Sequence, residues 1–384
     1  NFSNIEATSD NDYAIKNSDV SFIIVPTPSL KDGSFSIKYV ESAVIEIGKA
    51  LITKDEYHLV VISSTVLPGD MEKIIETLEK SSNKLCNRDF GLCYNPDFIA
   101  LGSIVNDFLN PDLVLIGESD SKAGELLVSI HKKTVDNDPI FHRMPYHNAE
   151  LAKIALNSYC TLKITFANII AEICENMPEG DASAVTNAIG DDKRVGRKYL
   201  RPGLGYGGPC FPRDNRAFDY SSKLFGVNNT FAELTHSINK YHSEIRLPNK
   251  IKNILNEKNI NEISVLGITY KNDTTLVEES SSLIIVESLL KDGISVKLYD
   301  PAGIAEARNE LSEFKDVFYC ENLNEAVSNS KVCFIGAPWK EFLIFNQKPF
   351  LEKLDKNLLI IDSCGVITDA NSSINTIKIG INNS

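Results

Sequence analysis

The 384-residue chain is 43% apolar, which allows two or three domains with ample cores, and its formal net charge is −13. This acidic balance argues against nonspecific nucleic-acid binding, which needs a basic surface. The eight cysteines form no CxxC pair and the six histidines no HxxxH or HExxH pair, so we expect neither a metal site nor a disulfide framework. No apolar run approaches the roughly 18 residues of a membrane span. These features predict a cytoplasmic protein that binds no nucleic acid and no membrane.

Short apolar runs alternate with helical patterns in the first third of the chain. The pattern predicts buried parallel strands at residues 20–25, 59–62, 91–94 and 113–116, with helices at 40–51, 71–78 and 122–131 between them. This alternation is typical of a doubly wound α/β domain, whose ligands collect at the carboxyl ends of the strands. Such ends carry three proline-containing loops, which include Pro26, Thr27, Thr65, Asp97 and Phe98.

No GxGxxG segment precedes the first of these strands. A Rossmann domain needs an opening strand, glycine loop and helix, so we expect a unit of about 30 or more residues to be missing upstream.

A long helix is predicted from residue 146 to residue 177, where Pro178 and Gly180 end it. A helix of this length is typical of an inter-domain or dimer element. Glu150, Lys153 and Asn157 fall on one of its faces. The spacing alone leaves open whether that face is solvated or part of a site.

The segment 203–214 places four glycines before Cys210, which lies between two prolines and is followed four residues later by Asp214. Glycine allows close approach to the backbone and proline stiffens it, so the loop suits a cysteine nucleophile. A tight turn with a buried, inert cysteine fits the same residues. Directly before it, five cations at residues 193–201 form either an anion site or an ordinary solvated face.

The last third is helical to about residue 255, with an interruption at Pro248, and then α/β again. Strands are predicted at 263–268, 296–299, 332–335 and 358–361, and helices at 282–290 and 324–328. The loop with Tyr270 and Lys271, followed by a helix starting near Ser280, favours phosphate binding. Asp300 ends the next strand, where it would bind a ribose or form a turn. A plain α/β domain without a ligand has the same periodicity.

Eight motifs follow one another in a fixed order along nearly the whole chain. They are Val25-Pro26-Thr27-Pro28, Ser64-Thr65-Val66-Leu67-Pro68-Gly69, Asn95-Pro96-Asp97-Phe98, Ala149-Glu150-Leu151-Ala152-Lys153 with Asn157, Arg194-Val195-Gly196, residues 205–214, residues 267–271 and Tyr299-Asp300-Pro301. Any one of them is weak, but the ordered set resembles the UDP-glucose/GDP-mannose dehydrogenase family of nucleotide-sugar dehydrogenases.

The resemblance implies an α/β fold of two Rossmann-like doubly wound domains, joined by a long central helix and a helical dimerisation domain. It places an N-terminally truncated NAD-binding domain at residues 1–145, a central dimerisation and catalytic domain at 146–240, and a nucleotide-sugar-binding domain at 241–384. It implies a homodimer or higher homo-oligomer. Without the upstream glycine segment, the sequence as printed should bind NAD poorly.

The family oxidises the C6 alcohol of a nucleotide sugar to the uronate with two NAD, through a cysteine thioester. The resemblance gives UDP-glucose, UDP-N-acetylhexosamines and GDP-mannose as candidate substrates. The implied catalytic residues are Cys210 as nucleophile, Asp214 as a base acting through a water near Thr65, Lys153 and Asn157 as oxyanion stabilisers, and Asp97 for thioester hydrolysis. The implied cofactor residues are Pro26, Thr27, Thr65 and Lys271; the implied substrate residues are Phe98, Lys153, Asn157, Arg194, Arg201, Tyr206, Gly207 and Tyr270.

Two departures from the family pattern favour a second hypothesis. Glu278 stands where an arginine normally meets the cofactor, and Cys364 where an arginine normally contacts substrate. Asp97 replaces a usual glutamate. The alternative to an enzyme is therefore a catalytically silent paralogue or fragment that keeps the dimer fold and nucleotide-sugar binding.

Overall fold

The computed structural model describes residues 5–228, 230–368 and 375–382, which divide into two compact units. The first unit comprises residues 1–156 with 216–229, and the second comprises residues 157–215 with 230–384. The elements of the first unit, in chain order, are α1 (Asn11–Lys16), β1 (Val20–Ile23), α2 (Lys38–Leu51), β2 (His58–Ile62), α3 (Asp70–Ser82), β3 (Phe90–Tyr94), α4 (Ile104–Leu109), β4 (Leu113–Glu118), α5 (Ser121–Thr134), β5 (Ile140–Pro145) and the start of α6 (Tyr146–Glu175).

The first unit is built on a five-stranded sheet in the order β1-β2-β3-β4-β5. Strands β2 and β3 are buried along their whole length, and alternate residues enter two cores on opposite faces of the sheet. Val60, Ile62 and Leu92 pack in one core, and Leu59 and Val61 in the other. The predicted doubly wound α/β architecture is therefore confirmed in this unit.

One strand direction differs from the prediction. We predicted four parallel strands, but β4 runs antiparallel to β3, with Cys93 opposite Glu118 and Tyr94 opposite Gly117. The connection between them contains only the six-residue helix α4, none of whose residues is buried. A parallel connection needs a crossover that packs on the sheet, and α4 does not supply one.

The second unit begins with helices and ends with a parallel sheet. A π turn (Tyr241–Arg246) joins α9 to α10, and Pro248 lies in the first turn of α10. The predicted interruption is thus a widened turn that ends two residues before Pro248. Pro248 itself lies in the first turn of α10, where proline's missing N–H is tolerated. The remaining elements are the rest of α6, α7 (Ala182–Gly190), α8 (Phe211–Leu224, which ends in the first unit), α9 (Phe231–Lys240), α10 (Leu247–Glu257), β6 (Glu262–Leu266), α11 (Ser281–Lys291), β7 (Ser295–Tyr299), α12 (Ile304–Glu310), β8 (Val317–Tyr319), α13 (Leu323–Val327), β9 (Val332–Ile335), a 3₁₀ helix (Lys340–Asn346), α14 (Lys348–Leu351), β10 (Leu359–Asp362) and β11 (Asn375–Lys378).

The second sheet has the order β11-β10-β9-β6-β7-β8, with every pair parallel. This is the Rossmann strand order, and its topological switch point lies between β6 and β9. Gly267 and Gly336 follow these two strands, and a Cβ on Gly336 would lie 2.6 Å from the Gly267 carbonyl oxygen. The glycines therefore bring the two loops into the close approach that a ligand crevice at this position requires.

Helix α6 is long and apolar enough to cross a membrane by length and composition. Half of its apolar window is buried inside the protein, however, as in the core helix of a soluble protein. The helix is weak evidence for a membrane span, and the predicted cytoplasmic location stays a prediction.

Candidate active site

The first unit brings its three predicted loops to one edge of the sheet. β1, β2 and β3 are adjacent and parallel, so the loops that follow them share an edge. The Thr27 hydroxyl donates to the Thr65 backbone carbonyl at 2.8 Å. Ser64, beside Thr65, links the same two loops through hydrogen bonds to the backbone of Val25.

Lys153 contacts the loop that follows β3. Its ammonium donates to the Asp97 backbone carbonyl at 2.5 Å and lies 4.5 Å from the centre of the Phe98 ring. The Asp97 side chain is half-buried, and this burial raises the pKa of its carboxyl group, while the nearby Lys153 charge opposes the shift. The structure thus joins three of the predicted site residues in the first unit.

The face of α6 that carries Glu150, Lys153 and Asn157 is buried. These side chains are 0%, 8% and 9% exposed, so the solvated-face interpretation is wrong. Glu150 has a structural task, because its carboxylate accepts the backbone N–H groups of Gly69 and Met71 at 3.1 and 2.8 Å. These amides lie at the start of α3, whose N-terminal donors have no partners within the helix.

Cys210 lies immediately before α8 and is exposed, which excludes the buried, inert cysteine of the alternative interpretation. Its carbonyl accepts the first hydrogen bond of the helix, from the Asp214 N–H at 2.8 Å. A side chain at this position faces the helix N-terminus, which favours negative charge. The structure therefore places Cys210 at the N-terminal end of a helix.

Asp214 is fully buried one turn into α8. One carboxylate oxygen accepts the Asn157 amide N–H at 2.6 Å, and the other accepts the Arg213 guanidinium at 3.0 Å. An unpaired buried carboxylate would be strongly destabilised, so these two donors explain how the charge is held in the interior. The structure thus brings two predicted site residues of the second unit, Asp214 and Asn157, together one helical turn from Cys210.

Tyr270 packs against the glycine loop, since a Cβ on Gly208 would lie 2.5 Å from its ring. Burial, and then the charge of Cys210, raises the pKa of Tyr270 to about 12, so its hydroxyl stays protonated. Tyr206 is buried and its hydroxyl lies 3.5 Å from a ring nitrogen of His236. Lys271 follows Tyr270, at a half-buried position.

The cations of the basic segment before the loop are exposed, and two of the five are paired with neighbouring acids. Arg194 binds Asp192 at 2.6 Å, and Arg197 binds Asp191. Arg201 is also exposed. The two ion pairs favour an ordinary solvated surface for these two arginines.

Asp300 serves as the turn-forming acid. Its carboxylate accepts the backbone N–H groups of Ile268, Thr269, Ala302 and Gly303. It also accepts the Thr269 hydroxyl and the indole N–H of Trp339. With both oxygens occupied inside the fold, the ribose-binding interpretation loses its support.

The two departures from the family pattern lie in different surroundings. Glu278 is exposed, and its backbone carbonyl accepts the Gly208 N–H at 3.0 Å. Burial raises the pKa of the Cys364 thiol to about 12, so it is neutral and supplies no positive charge. Among the residues that the structure describes, no group of three His, Cys, Asp or Glu side chains could hold a metal ion.

Comparison with known proteins settles the family. Three domain models of the UDP-glucose/GDP-mannose dehydrogenase family match the chain: the NAD binding domain at residues 1–135, the central domain at 147–241 and the UDP binding domain at 264–369. The chain belongs to this family. It is an NAD-dependent oxidoreductase, and the fold class inferred from its motifs is confirmed.

Individual known proteins are similar to the dehydrogenase over most of its length. The chain is similar to UDP-glucose 6-dehydrogenase AglM of Haloferax volcanii, with 31% identity over 88% of the chain and 78% of the relative. It is similar to UDP-glucose 6-dehydrogenase TuaD of Bacillus subtilis, with 32% identity over 87% of the chain and 70% of the relative. A solved UDP-glucose dehydrogenase from Pyrobaculum islandicum superposes with a TM-score of 0.81 at 30% identity, covering 96% of this chain and 82% of that one.

Proposed function

We propose that the dehydrogenase oxidises the C6 alcohol of a UDP-sugar, UDP-glucose or a UDP-N-acetylhexosamine, to the uronate through a thioester on Cys210. The observation that carries the proposal is the exposed Cys210 at the start of α8, one turn before the buried Asp214–Asn157 pair. Several relatives with 31–33% identity are named UDP-glucose 6-dehydrogenases, which favours UDP-glucose as the substrate.

The residues at the edge of the first sheet fit the dinucleotide cofactor. The loops with Pro26, Thr27 and Thr65 leave the carboxyl ends of adjacent parallel strands, where such cofactors bind, and the Thr27–Thr65 hydrogen bond keeps them together. With Lys271 of the second unit, they are the proposed cofactor residues. NAD, when bound, supplies the hydride acceptor for each of the two oxidations.

Cys210 makes and breaks the covalent bond. Its thiolate adds to the carbonyl carbon of the C6 aldehyde and forms a carbon–sulfur bond, which becomes a thioester after the second oxidation. Water then breaks this bond, giving the carboxylate and the free thiol. Asp97 is proposed to take the proton of that water, and the raised pKa of its carboxyl group makes its carboxylate a stronger base.

The other residues act on charge and orientation. Lys153 and Asn157 are proposed to stabilise the oxyanion, Lys153 as a cation held by the Asp97 carbonyl and Asn157 as an amide oriented by Asp214. Because Asp214 is enclosed, its proposed role as the base for the C6 hydroxyl runs through a water near Thr65. The proposed substrate contacts are Phe98, Lys153, Asn157, Arg194, Arg201, Tyr206, Gly207 and Tyr270.

NADH release from a panel of nucleotide sugars tests the proposal. We expect two NADH per UDP-sugar, and a loss of turnover of more than about a thousandfold in Cys210→Ala, because the covalent step needs the sulfur. Cys86→Ala is the matched control, since Cys86 is a half-buried cysteine on the surface of the first unit and should leave turnover unchanged.

Two other outcomes would contradict the proposal. One NADH per sugar would indicate a two-electron alcohol dehydrogenase without a thioester. Calorimetric binding of a UDP-sugar with no NADH would indicate the catalytically silent paralogue, for which the neutral, half-buried Cys364 and the acidic Glu278 are the supporting observations.

A further inference from the structure

The backbone before Cys210 is held by asparagines from two helices. The side-chain carbonyl of Asn168, on α6, accepts the Gly203 N–H at 2.9 Å, and its amide donates to the Leu204 carbonyl at 3.0 Å. Asn239, at the end of α9, accepts the Tyr206 N–H at 2.9 Å and donates to the Tyr206 carbonyl at 3.0 Å. An asparagine that binds both a donor and an acceptor of a loop fixes its position and its orientation.

His242, on the π turn, completes the set. One ring nitrogen, Nε2, lies 2.7 Å from the Gly203 carbonyl oxygen, and the other, Nδ1, lies 3.2 Å from the Arg246 guanidinium. Arginine can only donate and a carbonyl can only accept. His242 must therefore be the neutral tautomer that carries its proton on Nε2 and donates it to Gly203.

A chain of buried charges fixes this tautomer. Arg246 binds Glu175 at 2.7 Å, Lys250 binds the same carboxylate oxygen at 2.9 Å, and the other oxygen accepts the Gly380 N–H at 2.8 Å. His242 and Arg246 are 2% and 8% exposed. Burial, and then the Arg246 charge, lowers the pKa of His242 to about 4, so the ring stays neutral at physiological pH.

Only glycine fits at position 203. Its φ is +149°, and a Cβ there would lie 2.3 Å from the Ser363 carbonyl oxygen. Hydrogen bonds hold the loop at Gly203, Leu204, Gly205, Tyr206 and Gly208, and only Pro209 then separates it from Cys210. His242 thus belongs to the set of contacts that fix the backbone leading to the nucleophile.

We propose that His242 is a positioning residue for the nucleophile: through its Nε2–H it holds the Gly203 carbonyl, and Arg246 and Glu175 hold His242 in the donating tautomer. The inference rests on the proposed role of Cys210. It adds His242, which lies on the π turn and contacts Gly203, a residue 39 positions away in sequence. His242 touches the loop and not the reacting atoms, so its loss should act mainly on the rate of chemistry. Because Tyr206 and Gly207 of the same loop are proposed substrate contacts, we expect a smaller effect on KM.

Two conservative variants distinguish the roles of the two ring nitrogens of His242. The amide of His242→Gln can reach the Nε2 position and donate to Gly203, whereas that of His242→Asn reaches only the Nδ1 position. We expect His242→Asn to lower kcat by roughly ten- to a hundredfold with KM within about twofold. We expect His242→Gln to restore kcat to within about threefold of the wild type.

Hydrogen exchange supplies a second measurement that needs no turnover. The amides of Gly203 and Tyr206 should exchange faster in His242→Asn than in His242→Gln or the wild type, because the loop opens locally. His58→Asn is the matched control: His58 is also buried, has a pKa lowered to about 4 and lies 3.0 Å from a lysine, but it belongs to the first unit. It should leave kcat and the loop exchange unchanged.

Equal losses of kcat in His242→Asn and His242→Gln, or unchanged loop exchange in His242→Asn, would overturn the positioning role. A wild-type chain that forms no NADH overturns the proposed function alone, and the exchange comparison then decides the role of His242 by itself.

Discussion

Glu150 caps the start of α3 with a buried carboxyl group whose pKa is raised. It caps the start of α3 from another helix, and the carboxylate is completely buried. Burial raises the pKa of Glu150 to about 7, although the hydrogen bonds from Met71 and Gly69 act in the opposite direction. The desolvation of the carboxylate therefore outweighs the two N–H groups that it accepts.

The raised pKa predicts a pH-dependent stability that Glu150→Gln should remove. An unfolded glutamate ionises near pH 4.5 and the folded one near pH 7, so the folded state is favoured at low pH and loses stability as the pH rises through this window. Between pH 5 and pH 8 the wild type should lose about 2.5 kcal/mol relative to Glu150→Gln. Urea unfolding of both proteins at each pH measures the difference.

The matched control for this residue is Glu72→Gln, which changes a carboxylate that is exposed near the same helix start. Its stability should differ from that of the wild type by less than about 0.5 kcal/mol at every pH. A constant difference between Glu150→Gln and the wild type from pH 5 to pH 8 would show that Glu150 does not carry the predicted titration.

At the scale of elements, Asp300 links the ends of β6 and β7 and the loop after β9. Its carboxylate accepts six hydrogen bonds, from Ile268, Thr269 (twice), Ala302, Gly303 and Trp339. Removing the carboxylate leaves these buried donors without their acceptor. The loops at the switch point of the second sheet therefore depend on one side chain.

Asp300→Ala should destabilise the second unit by about 3–5 kcal/mol, because several hydrogen-bond donors lose their charged acceptor at once. Trp339 is the one tryptophan of the chain, is nearly buried and contacts Asp300, so its fluorescence reports unfolding of this unit. The control Asp316→Ala, at an exposed site beside β8, should change stability by less than about 0.5 kcal/mol. An Asp300→Ala protein as stable as this control would contradict the network's importance.

The sequence predicted elements well where burial leaves a continuous pattern. Strands β2, β3 and β9 are short unbroken apolar runs, and their predicted positions are confirmed to within a residue. The prediction missed β5, a strand that is mostly exposed and carries little apolar signal. It also missed the antiparallel direction of β4, because an apolar run specifies burial and not direction.

The residues of the candidate site also differ in how well the sequence predicted them. The glycines and prolines around Cys210 mark the loop because they act on the local backbone. Asn168, Asn239, His242 and Glu175 were missed, because each acts through a partner more than 30 positions away and single polar residues on helices show no period. A polar residue between apolar neighbours on a helix, as Asn168 is between Ala167 and Ile169, is a signal that could have found one of them.

At the scale of the whole molecule, the two units differ in which histidines and carboxyl groups have shifted pKa values. In the first unit His58 and His131 have lowered pKa values, whereas Glu150 and Asp97 have raised ones, all through burial. Lowered histidine pKa values make stability rise with pH, and raised carboxyl values make it fall, so these effects oppose one another. In the described part of the second unit, His242 is the histidine with a lowered pKa, and no carboxyl group has a raised one.

The second unit should therefore be the more acid-sensitive of the two. An unfolded histidine binds a proton near pH 6.5, but folded His242 does so only near pH 4, so acidification through this window favours the unfolded state. Between pH 7.5 and pH 5 the loss should be about 2 kcal/mol, read as a lower urea midpoint in Trp339 fluorescence. His242→Gln, which cannot titrate, should lose this pH dependence, whereas His58→Gln in the first unit should keep it. If the Trp339 midpoint falls equally in the wild type and His242→Gln, the acid sensitivity of this unit comes from groups other than the histidine that holds the loop of Cys210.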